Sequence, residues 1–430
     1  MAPSSTEQGA GGAPEAISRR SMAVAAFSTV VEWYDFTLYL YLATVMSRVF
    51  FGGGEASLAT ALAGFAVAYL MRPLGAAVFG HIGDRYGRRR MMLLSMLVMT
   101  GAMLATALLP TYAQIGPAAG VLVLLLRCVM GFSVGGEYTG VVAYLMEGAP
   151  RGKRGLIASL ASAASEVGAL LAVAVSALTV HLMSQADLDG WGWRIPFLVG
   201  AGLAASVWLA RSTMQESPDF ERQQAFGTIP ERPLRHTLRH HKAGILRSFA
   251  ISALGSITYY VGITYVPAFL TSAGAMGEGL SLWLATVAAV VVILVTPFIG
   301  LLSDRWGRKP MLLTLAALSA ILPMTMFSLM ATGSAASALL GAVVLAAAAG
   351  GVSAVGAVAT AEQFPGEGRL SGLALGATVA TAIFGGLTPY VAQMLTDRTG
   401  WPMIPGAMIA VVALLVLPVL LTMRETRPKD

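Results

Sequence analysis

The sequence predicts an all-α integral membrane protein with twelve transmembrane helices in two pseudo-symmetric six-helix bundles. Three observations carry that prediction. Hydrophobic residues make up 56% of the 430 residues and charged ones only 12%, about half the roughly 25% usual in a soluble domain. Apolar stretches of about 20 residues, the length that crosses a bilayer as a helix, follow one another twelve times. A basic turn motif occurs twice, once in each half of the chain.

The stretches fall near 22–47, 57–80, 91–110, 117–147, 155–183, 195–211, 247–272, 280–302, 311–331, 335–363, 371–396 and 404–424. Turn residues punctuate them: Pro110, Gly116 with Pro117, Trp191 with Gly192, and Gly400, Trp401 and Pro402. The 48 glycines and 20 prolines suit close helix packing in lipid. Residues 1–20 are small and polar and read as a disordered cytoplasmic tail. A first bundle then covers 21–211, a cytoplasmic linker 212–246, a second bundle 247–424 and a short tail 425–430. The first apolar run is too long for a signal-peptide core and contains acids, so no cleavage is expected.

Basic residues set the orientation. One set of connections carries RYGRRR (85–90), RGKR (151–154), the 212–246 segment, RWGRK (305–309) and Arg369. The opposite set carries only Arg48, Arg194 and Arg398. Positive-inside logic puts the first set, and both termini, in the cytoplasm of a multi-pass cell-membrane protein. The net charge of +6 is scattered between apolar stretches, which argues against a nucleic-acid partner.

The halves repeat. GHIGDRYGRRRMMLL (80–94) matches GLLSDRWGRKPMLLT (300–314), with Asp84 and Asp304 220 residues apart. EGAPRGKR (147–154) echoes EQFPGEGR (362–369) at an offset of 215. Each Asp can cap a helix or pair with an Arg of a neighbouring helix. Asp84, Arg85, Arg88 and Glu147, with Asp304, Arg305, Arg308 and Glu362, therefore read as a cytoplasmic gate. Its contacts would hold the outward-facing state and break as the bundles rock.

The doubled G-x-x-x-D-R-x-G-R-[RK] motif resembles that of the major facilitator superfamily. EWYDF (32–36), MRPLG (71–75), RCVMGFSVGGEYTG (127–140), WGWRIPF (191–197) and ATAIFGGLTP (380–389) resemble its metabolite:proton symporter family, over roughly 20–425. That family includes proline/glycine-betaine, citrate, α-ketoglutarate and shikimate carriers. GFSVGGEYTG and TYYVGITYVPAFL (258–270) look most like the proline/betaine carriers, ATAIFGGLTP like the citrate carriers. The resemblance implies the major facilitator fold and no cofactor, with a small-molecule substrate, protons and the bilayer as partners and a monomer as working unit. The sequence ends at Asp430 without the coiled-coil extension of some osmosensing members, so osmosensing is not expected. Citrate and α-ketoglutarate carriers have Gln where this chain has Ala161, so their substrates are not carried over.

Buried charges mark candidate site residues. At about 1.5 Å per helical residue, Glu32 lies ~15 Å and Asp35 ~20 Å from the cytoplasmic face. Arg127 lies ~15 Å from the outer face, level with Asp35. Glu137 (~15 Å) and Arg72 (~12 Å) share a layer with Glu32 and read as structural or gate-like, while Glu166 falls near the midplane. Each such group is costly in lipid, so it faces the bundle interior or water. The first half thus holds four interior acids and two arginines, and two acids lack an obvious cation; the second half holds essentially none. Asp35, Arg127, Glu32 and Glu166 are the expected proton-coupling residues. Arg127 would bind a substrate carboxylate or hold Asp35 ionised; proton-coupled sugar carriers, similarly, pair an Asp on helix 1 with an Arg on helix 4. Tyr259, Tyr260 and Tyr265 on helix 7, loosened by Pro267, would complete the substrate site, since their faces suit a quaternary ammonium.

The expected function is a proton-coupled symporter importing a small carboxylate-bearing metabolite, an organic acid or a zwitterion such as proline or betaine. The alternative is an exporter of a metabolite or drug. Drug:proton antiporters of the superfamily usually carry a GPxxGG-type signature in helix 5, and SAASEVGALLAVAVSALTV (162–180) lacks it. An enzyme is not expected. His81, His181, His236, His240 and His241 lie in loops or helix ends, Cys128 stands alone, and neither a metal cluster nor a nucleophile–base pair is evident.

Overall fold

The computed structural model describes residues 17–53, 55–150, 152–272 and 276–427. Residues 1–16 of the expected tail, Arg151 of the RGKR run and 428–430 lie outside the described residues. Among the described residues the chain is helical, without strands. Its helices form twelve spans. Span 1 is Arg19–Tyr41 continued as Ala43–Phe51, and span 2 is Glu55–Leu70 followed by Arg72–Tyr86. Spans 3 to 6 are Arg88–Leu108, Ala118–Gly148, Arg154–Leu182 and Arg194–Ser212. Span 7 is Lys242–Thr264 with Val266–Ser272, and span 8 is Glu278–Trp306. Spans 9 to 12 are Arg308–Met330, Ala335–Ala361, Arg369–Thr399 and Ile404–Leu421.

Nine of these described helices are long and apolar enough alone to cross a membrane, and span 7 makes a tenth if its bent parts count together. Spans 1 and 2 fall outside that set for local reasons. Span 1 carries Glu32 and Asp35, and span 2 breaks at Met71. The helix restarts at Arg72 with Pro73 in its first turn, where a missing N–H costs nothing. Span 7 bends by 42° after a π-helical turn at Tyr260–Thr264. Pro267 has no N–H to donate to the preceding turn, so the ladder loosens there.

The basic turns are built on left-handed glycines. Gly87 (φ +105°) and Gly307 (φ +106°) end spans 2 and 8 in a conformation open mainly to glycine. A carboxylate crosses each turn. Glu216 accepts from the N–H of Arg88 at 2.9 Å, and Glu425 from the N–H of Arg308 at 2.9 Å. Neither acid was a sequence candidate. The signal is nonetheless present: TMQES (213–217) and TMRET (422–426) repeat at an offset of 209.

Each half buries its own apolar core. A third cluster belongs to both and closes the basic end: Phe79, Met91 and Tyr144 of the first half pack with Val358, Phe364, Leu370 and Leu373 of the second. The first glycine of each basic motif explains how the backbones come so near. A Cβ at Gly300 would lie 2.7 Å from the Gly155 carbonyl oxygen, and one at Gly155 2.5 Å from that of Gly300. A Cβ at Gly80 would meet the Leu370 carbonyl at 3.0 Å.

The 212–246 segment, expected as a linker, is helical over much of its length. It folds into helices Pro218–Phe226 and Pro233–His240, and span 7 already begins at Lys242. Pro218, Phe220, Pro233 and Thr237 are buried. Two short helices pinned by a few apolar residues give too brief a periodicity to read from sequence.

Candidate functional site

A cavity of about 180 Å³ lies between the halves. The first half lines it with Glu32, Trp33, Arg72, Tyr138, Ser162, Ser165 and Glu166. The second half contributes uncharged groups, among them Ser252, Ser256, Tyr259, Tyr260, Ser353, Thr378 and Thr381. Two hydrogen bonds join the halves across its wall. The Tyr259 hydroxyl donates to Glu166 Oε1 at 2.6 Å, and the hydroxyls of Tyr69 and Tyr260 lie 2.7 Å apart. Trp33 meets Tyr259 edge to face at 5.5 Å. Tyr69 and Trp33 carried no individual signal in the sequence, since an interior aromatic is ordinary packing in a membrane helix.

Asp35 and Arg127 are brought together by spans 1 and 4. Arg127 Nη1 donates to Asp35 Oδ2 at 3.0 Å and Nη2 to Oδ1 at 3.1 Å. Both side chains are almost fully buried, and the guanidinium lies 4.9 Å from the Tyr39 ring centre. A bidentate pair of this kind satisfies both charges where water is excluded. The pair does not line the cavity; nor does Tyr265, whose hydroxyl donates to Gln393 at 2.9 Å. Of the residues read as substrate ligands, only Tyr259 and Tyr260 reach it.

The expected layer of Glu32, Arg72 and Glu137 does not form as one network. Glu137 is closed on the buried Arg211 and on Ser95. Arg211 also donates to Ser28 and, at 2.7 Å, to the Met92 carbonyl. This corrects the charge tally, because the first half has a third interior cation. Arg211 closes span 6, where a basic residue reads as an interface anchor, yet its side chain turns inward. Glu32 is 1% exposed, lines the cavity, and its Oε2 has no hydrogen-bond partner. Arg72 also lines the cavity, with its guanidinium 4.7 Å from the Phe36 ring centre and 4.5 Å from that of Tyr69.

The basic end holds a second constellation. Asp84 accepts from the backbone N–H groups of Leu370 (3.2 Å) and Ser371 (2.8 Å) at the start of span 11. Asp304 accepts from Gly155 (2.8 Å) and Leu156 (2.9 Å) at the start of span 5. Each aspartate thus crosses to the opposite half and meets a helix N-terminus, which favours negative charge. Arg88 pairs with Glu147 at 3.2 Å and donates to the Gly366 carbonyl of the other half at 2.8 Å. Arg308 pairs with Asp304 at 2.8 Å and Glu362 at 3.3 Å. Arg369 bonds Glu147 and reaches Asp219 of the linker at 2.9 Å. Arg85 stands outside this set and donates to the Pro230 carbonyl, while the Arg305 carbonyl accepts from Arg427.

Residues 21–228 match the family described as Sugar (and other) transporter, and 275–430 match the Major Facilitator Superfamily. The ectoine/proline transporter ProP of Corynebacterium glutamicum is 34% identical over 93% of this chain and 82% of its own length. The alpha-ketoglutarate permease of Escherichia coli is 35% identical over 88% of each chain. The E. coli proline/betaine transporter is 30% identical over 95% of this chain and 84% of its own. Among solved structures, the proton:xylose symporter XylE bound to 6-bromo-6-deoxy-D-glucose shares the fold, with a TM-score of 0.79 at 20% identity over 95% of this chain and 96% of that one. The chain therefore belongs to the major facilitator superfamily and is a multi-pass membrane metabolite carrier, not an enzyme.

Proposed function

We propose that the protein is a proton-coupled symporter that imports a small carboxylate-bearing metabolite by alternating access. The observation that carries this reading is the bidentate Asp35–Arg127 pair, buried inside the first half. In one state Asp35 is ionised and Arg127 holds it. When Asp35 takes a proton its negative charge is lost, Arg127 is released, and the first half can repack and rock against the second. Glu166, hydrogen-bonded to Tyr259 of the second half, ties a further acid to the relative position of the halves.

The basic end faces the cytoplasm on the charge rule, with both termini there and one copy as the working unit. Asp84 and Asp304, each held on a helix start of the opposite half, form the cytoplasmic gate together with Arg88, Arg308, Glu147 and Glu362. The two halves, 21–211 and 247–424, move as bodies joined by the linker.

The test is uptake into proteoliposomes under an imposed pH gradient, with Asp35→Asn against the unaltered protein. Uphill, gradient-driven accumulation is expected to disappear in the variant. Accumulation to the same level would remove Asp35 from the coupling step.

A further inference from the structure

Proton coupling through Asp35 and Arg127 leaves the charges of the cavity itself unassigned. Those charges are few. Among the described residues Arg72 is the one guanidinium lining the cavity, and Glu32 and Glu166 are the carboxylates in the same lining. The fully buried arginines of the first half, Arg88, Arg127 and Arg211, are each closed on a carboxylate. Arg72 forms no ion pair among the described residues. It is held instead by the rings of Phe36 and Tyr69, at 4.7 and 4.5 Å. Tyr69 also accepts a hydrogen bond from Arg72 at its hydroxyl, and a guanidinium with five N–H donors keeps others for a planar acceptor. Glu32, 1% exposed with Oε2 unpartnered, turns an uncompensated buried acceptor into the same space.

The other pole differs. Glu166 lies beside Tyr259, which in turn packs against Trp33. A carboxylate next to two aromatic rings suits a cationic group, by charge and by ring quadrupole. The cavity of about 180 Å³ has room for a compact solute. A polyanion would meet a single guanidinium among the described lining residues.

Building on the symporter reading, we propose that Arg72, not Arg127, is the ligand for the solute's carboxylate. Glu166, with Trp33 and Tyr259, receives a cationic group on the same solute. The carried molecule is then a compact zwitterion, and Arg72 and Glu166 decide its selection over plain organic anions.

The experiment is counterflow exchange in proteoliposomes of the full chain without an imposed gradient, using labelled proline and glycine betaine as zwitterions and 2-oxoglutarate as a dianion. Such exchange reads solute selection alone, so its outcome is independent of the gradient-driven test of Asp35. The wild type is expected to exchange at least one zwitterion. Arg72→Gln should lower that exchange at least 100-fold, with Arg72→Lys partly restoring it. Glu166→Gln should lower the zwitterion-to-dianion exchange ratio at least tenfold. Melting profiles without solute check that each variant is folded, and the Lys variant keeps the question open to measurement if the Gln variant is not. Zwitterion exchange within twofold of wild type in a folded Arg72→Gln protein, or an unchanged ratio in Glu166→Gln, would overturn the assignment. A wild type that exchanges neither zwitterion would overturn the solute class.

Discussion

Replacing Asp84 by Asn should open the basic end. The Asp84 side chain is fully buried and accepts backbone N–H groups of Leu370 and Ser371 at 3.2 and 2.8 Å, with Arg88 at 3.4 Å. Hydrogen bonds to a charged acceptor contribute roughly 1.5–3 kcal/mol each, and neutral ones about 0.5–1.5. Asn keeps one oxygen, so one bond survives in neutral form, while its amide meets the second backbone N–H donor to donor. The net loss is about 2–4 kcal/mol. Both bonds cross between halves, so the loss falls on the closed arrangement alone. At ~1.4 kcal/mol per tenfold, the closed-to-open ratio should fall by roughly 30-fold to several hundred-fold. The assay is the distance distribution between spin labels at Arg90, in the first turn of span 3, and Lys242, the first residue of span 7, both exposed, in a Cys128→Ser background. The long-distance population should grow in Asp84→Asn and again in Asp304→Asn. Unchanged distributions in both variants would refute the claim that these aspartates hold the halves together.

Two further outcomes follow from the same contacts. Gly300→Leu, whose Cβ would lie 2.7 Å from the Gly155 carbonyl oxygen, should force spans 5 and 8 apart and raise the same long-distance population; labels that do not separate would show that the crossing can yield elsewhere. Burial pushes the Glu425 carboxyl up, but the backbone N–H groups of Arg308, Arg427 and Lys309 and the Arg308 charge outweigh it and hold it below the usual carboxylate value. Its stabilising contribution is therefore present above the ordinary value and is lost only as pH falls through the depressed one. The difference in melting temperature between wild type and Glu425→Gln should hold down to about pH 4.5 and shrink below it; a difference that vanishes already near pH 6 would contradict this.

What could be read from sequence follows from what lipid demands. A bilayer forces helices of known length, so the spans appear as apolar runs, and the topogenic charges appear as the repeated D-R-x-G-R turns. Depth arithmetic sufficed to put Asp35 level with Arg127, because rise per residue is nearly constant along a helix. It could not say which way a long side chain reaches. Arg211 lies at the end of span 6 yet closes Glu137, and Arg72 lies in the predicted Glu32 layer yet faces the cavity. The docked linker was opaque for another reason: Glu216 and Asp219 act on groups more than 100 residues away in sequence. The π-helical turn at 374–378 has no proline within it to announce it.

The distribution of compensation argues for where the chemistry sits. A charge taken out of water is tolerated when its partners are complete, and removing one partner of such a pair costs about 3–5 kcal/mol. Glu137 is complete: Arg211 and Ser95 bond it within the same half, and nothing in that set needs to change when the halves move. Such a group is scaffold. Asp35 is complete only through Arg127, a single partner that protonation can release. Glu166 takes its hydrogen bond from Tyr259 of the other half, so its environment changes whenever the halves separate. Glu32 has an oxygen with no partner, in a cavity whose lining includes Arg72, an arginine without an ion pair among the described residues. Reading outward from Glu137 to Glu32, compensation becomes progressively less local and less complete. Among the described residues the second half contributes no charged group to the cavity; its wall is hydroxyls, rings and aliphatic side chains. Exchange of a proton or a solute requires a group whose partner can be replaced without leaving a bare charge behind. On the proposed reading that condition is met on spans 1, 2 and 5, at Asp35, Glu32, Arg72 and Glu166, and it is not met at Glu137.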